Sequence, residues 1–106
     1  MSAPLNVIVE LSSYCQLACP FCRTGQALRG QYPQVPRGMM TRQTFKNIIF
    51  QVPDMGEMLL YNWGEPFLNP DILWFVLFGK KMAATCVLST NMHIMTESLA
   101  HGLIEA

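Results

Sequence analysis

The sequence predicts an α/β fold of parallel βα units, with three strands and three helices, amounting to about half of a βα barrel. Three observations carry this. Apolar strand-like runs alternate three times with runs of helical period, the pattern of a parallel sheet with right-handed crossovers. Each strand ends in a short polar or glycine-containing segment. The chain of 106 residues is also core-rich, 51% hydrophobic and 13% charged, as if many faces expect to be covered.

Leu5 to Leu11 reads as a first buried strand. The stretch from Arg23 to Met40 contains Gly25, Gly30, Pro33, Pro36 and Gly38, and is expected to be a loop with its own turns. Thr41 is placed to cap a first helix whose apolar stripe is Phe45, Ile48, Ile49 and Val52, with Pro53 ending it. Met58 to Trp63 reads as a second strand, broken by Gly64-Glu65-Pro66. Asn69 is expected to cap a second helix with Pro70 in its first position. Gly79 leaves that helix to stop there or to run through Met82. Thr85 to Ser89 is the third strand, and Thr96 caps a third helix that carries Glu97, Leu99, Leu103 and Ile104. A third strand with an open edge is a liability, and three strands are few for a parallel sheet, which is normally buried on both faces. Residues 1–106 are therefore expected to be the N-terminal portion of a larger core domain.

Seven Lys and Arg balance seven Asp and Glu. That balance argues against a nucleic-acid footprint and against a polybasic membrane patch. The longest wholly apolar run, Ile72 to Phe78, is far short of the ~20 residues a bilayer needs. No cationic segment followed by an apolar stretch opens the chain, so a cytoplasmic address is expected. In that compartment the four cysteines are expected to be reduced, and to bind metal or act in catalysis. Cys86 lies in an apolar run and is expected to be a buried small hydrophobe.

The chemistry concentrates in Cys15-x-x-x-Cys19-x-x-Cys22. Structural zinc wants four closed ligands, and an ordinary four-iron cluster wants four cysteines. Three thiolates leave one metal position open, and an open position is where chemistry happens. The cysteine loop follows the first strand, Gly64-Glu65-Pro66 the second and Ser89-Thr90-Asn91 the third. In a parallel barrel those three strand ends are neighbours, and active sites sit there.

This combination resembles the radical S-adenosylmethionine (radical SAM) enzymes over essentially the whole chain. The carrying motifs are the cysteine spacing with Phe21 before the last cysteine, and the stretch from Tyr61 to Pro70 around Gly64-Glu65-Pro66. The resemblance implies a radical SAM-type partial TIM barrel. It implies that Cys15, Cys19 and Cys22 each bind one iron of a [4Fe–4S] cluster, whose fourth iron takes the amino and carboxylate groups of S-adenosylmethionine (SAM). Reductive cleavage of SAM would give methionine and a 5′-deoxyadenosyl radical that abstracts a substrate hydrogen. Phe21 would pack near the adenine, and backbone groups of Gly64, Glu65 and Pro66 would meet the amino group, with glycine permitting the close approach. Ser89, Thr90 or Asn91 would reach the methionyl end. The family often has glycine after Thr-Asn, where this chain has Met92. Gly38-Met39-Met40-Thr41 looks like the SPASM-type peptide- and protein-modifying branch, which implies a peptide or protein substrate. An electron donor such as flavodoxin or ferredoxin is implied as well.

Other readings stand beside this one. The cysteines could form a zinc knuckle completed by His93, His101 or Cys86, making a non-catalytic structural module; the isolated chain could also keep the motif yet be inactive. His93 is read as a loop residue and His101 as a solvated helix residue. Arg23, Arg29 and Arg37 are read as a solvated loop face, Trp63 and Trp74 as core, and the eight methionines as fillers of an irregular core.

Overall fold

Val7, Val9 and Leu11 alternate with Asn6, Ile8 and Glu10, and the period of two puts the first set on one face of an extended segment. The structure, a computed structural model, describes residues 6–28, 30, 37–52 and 54–106. Leu5, Arg29, Pro33, Pro36 and Pro53 lie outside the described residues. Three strands form a parallel sheet in the order β1 (Asn6–Ile8), β2 (Met55–Leu59), β3 (Ala83–Val87). The helices are α1 (Arg23–Leu28), α2 (Arg42–Ile49), α3 (Ile72–Met82) and α4 (Glu97–Glu105), with a 3₁₀ turn at Pro66–Leu68. The expected α/β half-barrel pattern is thus observed, with one short helix more than expected.

The register aligns Val7 with Met58 and Met58 with Cys86. This row faces the helices. Phe45 and Ile49 of α2 and Phe75 of α3 are fully buried with Met58, Leu11 and Leu60. Phe45 meets Phe75, Phe78 and Trp74 edge to face at 4.9, 5.9 and 6.0 Å, while Trp74 stacks on Phe78 at 5.0 Å. Such pairs add about 0.5–1.5 kcal/mol each beyond their buried area. Gly79 does not stop α3; a Cβ there would lie 2.9 Å from Cys86 Sγ and 3.2 Å from Met58 Sδ. It is the point where the helix rests on the sheet. Burial pushes the Cys86 thiol above its ordinary value, with nearby Lys80 pulling the other way, as expected of a thiol used for packing. The opposite row, Asn6–Glu57–Thr85 and Ile8–Leu59–Val87, is not covered by these helices, and Ile8 is 62% exposed.

Two strands begin earlier than the apolar pattern predicts. β2 runs over Met55–Leu59 instead of starting at Met58, and β3 over Ala83–Val87 instead of starting at Thr85. Asp54, at φ 59°, turns the chain tightly before β2, and β3 follows α3 without a loop. Trp63, expected in the core, stands 49% exposed beyond the end of β2. The Arg23–Met40 connection is not all loop, because α1 occupies its start. Thr41 and Thr96 cap α2 and α4 as expected, accepting from Thr44 N–H at 3.2 Å and Leu99 N–H at 3.1 Å. Asn69 does not cap α3, whose N-terminal flanking residue is Asp71. Its buried side chain instead donates to the carbonyls of Leu11 (2.8 Å) and Met40 (3.0 Å) and accepts from Asp71 N–H. One amide thereby joins the first strand's end, the entry to α2 and the start of α3.

Candidate functional site

All three strand tips meet at one end of the sheet, and polar side chains hold them there. Glu10 Oε1 accepts from the N–H groups of Trp63 at 2.9 Å and Gly64 at 3.0 Å. Glu65 N–H donates to Tyr14 O at 2.8 Å. The N–H groups of the Gly64-Glu65 turn are therefore spent within the protein. Gly64 permits a close approach, but in this structure the neighbour is the chain itself. A Cβ at Gly64 would collide with Ser12 O and lie 2.8 Å from Ser13 Cα.

Glu65 is 3% exposed, and its carboxylate has a full set of partners. It accepts from Phe67 N–H, from the Thr90 hydroxyl and, at 3.0 Å, from Asn91 N–H. The carboxylate, and not only the backbone, thus matters here: it ties the tip of β2 to the tip of β3. Beyond it the chain turns on Thr90, whose hydroxyl accepts from Met92 N–H, and on Asn91, whose Oδ1 accepts from His93 N–H. Met92 adopts φ 63°, the left-handed conformation that glycine takes most easily. The turn is therefore made without the glycine.

The cysteine loop is pinned to both tips. Asn91 Nδ2 lies 3.8 Å from Cys15 Sγ, and the Cys22 thiol lies 3.9 Å from Trp63 O. Cys15 and Cys19 line an open cavity of about 230 Å³ together with Tyr61, Trp63, Gly64, Glu65 and the Ser89–Asn91 tip. Cys19 is exposed, while Cys15 and Cys22 are partly buried. Phe21 is 96% exposed and touches neither tip closely enough to be buried. Ser89 is exposed on the cavity rim. His93 and His101 are both exposed, as expected, and His101 lies 3.9 Å from Glu97 on α4.

Gly25 and Asn69 were not legible as part of this site. Gly25 reads as a turn signal, yet it is buried in α1, and a Cβ there would collide with the Cys19 backbone and lie 2.7 Å from Ala18 C. It lets α1 press against the cysteine loop. Among the described residues, no three His, Cys, Asp or Glu side chains gather closely enough to hold a single metal ion. The donor set itself is three sulfurs on one loop, which suits soft metals and iron–sulfur chemistry better than hard cations. Three thiolates that each take a different iron spread wider than ligands converging on one ion.

A parallel α/β sheet thus carries a three-cysteine loop against its strand tips. Known proteins resemble this chain. The chain is 29% identical over 103 residues to an AdoMet-dependent heme synthase of Methanosarcina barkeri, covering 96% of this chain and 28% of that protein. It is 34% identical over 89 residues to a PqqA peptide cyclase of Xanthomonas euvesicatoria pv. vesicatoria, covering 83% and 23%. The fold superposes on BtrN in complex with AdoMet and 2-DOIA with a TM-score of 0.79, at 21% identity, over 98% of this chain and 42% of that one. No family model matches. The chain belongs to the radical SAM superfamily, and it spans about a quarter of the length of these relatives by sequence. Among the described residues, no helix is long and apolar enough to cross a membrane.

Proposed function

We propose that this chain carries the cluster-binding part, and part of the SAM site, of a radical SAM enzyme. Cys15, Cys19 and Cys22 hold a [4Fe–4S] cluster, and SAM lies between the cysteine loop and the tips of β2 and β3. The observation that carries this reading is the cavity shared by Cys15, Cys19, the Gly64-Glu65 turn and the Ser89–Asn91 tip. When bound, the cluster supplies the electron that cleaves a carbon–sulfur bond of SAM and so starts hydrogen abstraction from substrate.

The chain's own residues divide the remaining work. With its N–H groups spent on Glu10 and Tyr14, and with Glu65 O and Pro66 O accepting from Leu68 and Asn69 N–H, the Gly64-Glu65-Pro66 turn has the Gly64 carbonyl oxygen to offer, the polarity an amino group requires. Thr90 and Asn91 are committed to Glu65, so the exposed Ser89 hydroxyl is the better placed of the three to meet the methionyl end. Phe21, almost wholly exposed, supplies an apolar face for adenine. The likeness to a PqqA peptide cyclase favours a peptide substrate. A flavodoxin- or ferredoxin-type donor delivers the electron, and a cytoplasmic address keeps the thiols reduced.

Anaerobic reconstitution with iron and sulfide tests the reading, in wild type and in the Cys15→Ala/Cys19→Ala/Cys22→Ala variant. About four irons and four sulfides per wild-type chain, absent from the variant, with an EPR signal that changes on adding SAM, is the expected result. A colourless chain that takes up one zinc would sink it.

A further inference from the structure

Asn91 reaches toward Cys15 with a defined end of its amide. Oδ1 accepts from His93 N–H at 2.9 Å and from Gln16 Nε2 at 3.2 Å. A backbone N–H can only donate, so the oxygen must face it, and the NH₂ group must face the sulfur 3.8 Å away. The residue is held from behind as well. Asn91 N–H donates to Glu65 Oε2, the Thr90 hydroxyl donates to Oε1, and Glu65 N–H donates to Tyr14 O, the carbonyl next to Cys15 in the chain. These bonds close a ring: Tyr14, Glu65, Asn91 and Cys15, which is joined to Tyr14 by the peptide bond. Glu65 is buried within it. A donor fixed this way does not depend on a mobile surface side chain finding its partner.

We propose that Asn91 is a positioning and potential-setting residue. Its side-chain amide donates to the Cys15 sulfur and favours the reduced state of an iron–sulfur cluster bound there. The inference rests on Cys15 being a cluster ligand, and it assigns Asn91 to the sulfur rather than to SAM. The physics is direct. Reduction adds negative charge to the cluster and its thiolates, and an N–H dipole aimed at a ligating sulfur stabilises that charge, which raises the potential. Glu65 acts one step further out, by fixing the Asn91 backbone.

The test compares wild type, Asn91→Asp and Asn91→Ala after anaerobic reconstitution. Iron content and the midpoint potential are read by EPR-monitored redox titration. Aspartate keeps an oxygen for His93 N–H and Gln16 but puts a second oxygen where the NH₂ group was. Equal iron content is expected, with the Asn91→Asp midpoint displaced to more negative potential. The reduced-to-oxidised ratio at fixed potential should fall about tenfold, ~59 mV for a one-electron couple. Asn91→Ala moves in the same direction by less. Unchanged midpoints in loaded variants overturn the proposal and leave the cluster reading standing. A wild type that loads no iron overturns the cluster reading, and this inference with it. If only the variants fail to load, the metal-free chain decides. The Asn91 side-chain NH₂ resonances should move in a ¹H–¹⁵N spectrum on Cys15→Ala, and unmoved resonances overturn the proposal.

Discussion

The helix-covered side of the sheet and its strand tips are built on opposite principles. Between sheet and helices the contacts are apolar: Phe45, Phe75, Met58 and Ile49 are fully buried and need only to fill space. At the tips the contacts are polar and directed: Glu10, Glu65, Asn69 and Asn91 each join segments far apart in sequence. Burial supplies stability without much regard to detail, since hydrophobic contact is non-directional. Hydrogen bonds contribute less net stability, but an unmet buried partner is costly, so they specify geometry. The site therefore sits where positions are specified most closely, and the core is left to hold the chain folded. The uncovered face with Ile8 belongs to neither regime.

This contrast can be broken at the core first. Phe45→Ala removes a ring in contact with three others and should cost about 3–5 kcal/mol in denaturant unfolding. Whatever fraction remains folded should still bind iron, because Phe45 does not line the cavity at the tips.

Gly64→Ala attacks the tips by sterics. Its Cβ would strike the Ser12–Ser13 backbone, which cannot move without carrying the cysteine loop. A loss of about 1–3 kcal/mol is expected, with iron loading reduced even in folded protein. Stable protein with normal loading would show that the loop tolerates displacement.

Asn69→Ala sharpens the comparison, because it deletes a polar clamp buried beside the apolar core. It takes the amide donor from Met40 O and the acceptor from Asp71 N–H, while Leu11 O keeps Met40 N–H, and should cost about 1–3 kcal/mol by thermal or denaturant unfolding. A loss well below that range would mean water replaces the amide.

The smallest effect has the opposite sign. Met92 holds a left-handed conformation that costs a side-chain-bearing residue about 1–2 kcal/mol, partly offset because glycine is more flexible when unfolded. Met92 is 58% exposed, so little packing is lost on truncation. Met92→Gly should therefore gain about 0.5–1 kcal/mol, and a loss would mean the methionine side chain contributes contacts that outweigh the strain.

Much of the fold was legible because its signals are local. The α2 stripe predicted Phe45 and Ile49 in the core, though Ile48 faces out and Val52 falls beyond the helix end. Strand limits were read two or three residues late because an apolar run marks burial rather than ladder pairing. Leu60 is fully buried and Leu88 packs on the core, yet both lie outside the strands. Helix α1 was missed because its six residues carry no apolar stripe and contain a glycine.

By itself the sequence determined the alternation of strands and helices, the caps at Thr41 and Thr96, and the spacing of three cysteines on the loop after the first strand. Spacing and period act within a few residues, and a single chain displays them directly. Only the tertiary structure decided that Gly25 and Gly64 serve the cysteine loop, that Glu65 works through its carboxylate, and that Asn69 clamps rather than caps. It also aimed the Asn91 amide at Cys15, across 76 positions of chain. Those roles belong to pairs of groups that folding brings together, and no local pattern encodes which distant carbonyl, carboxylate or sulfur a side chain will meet.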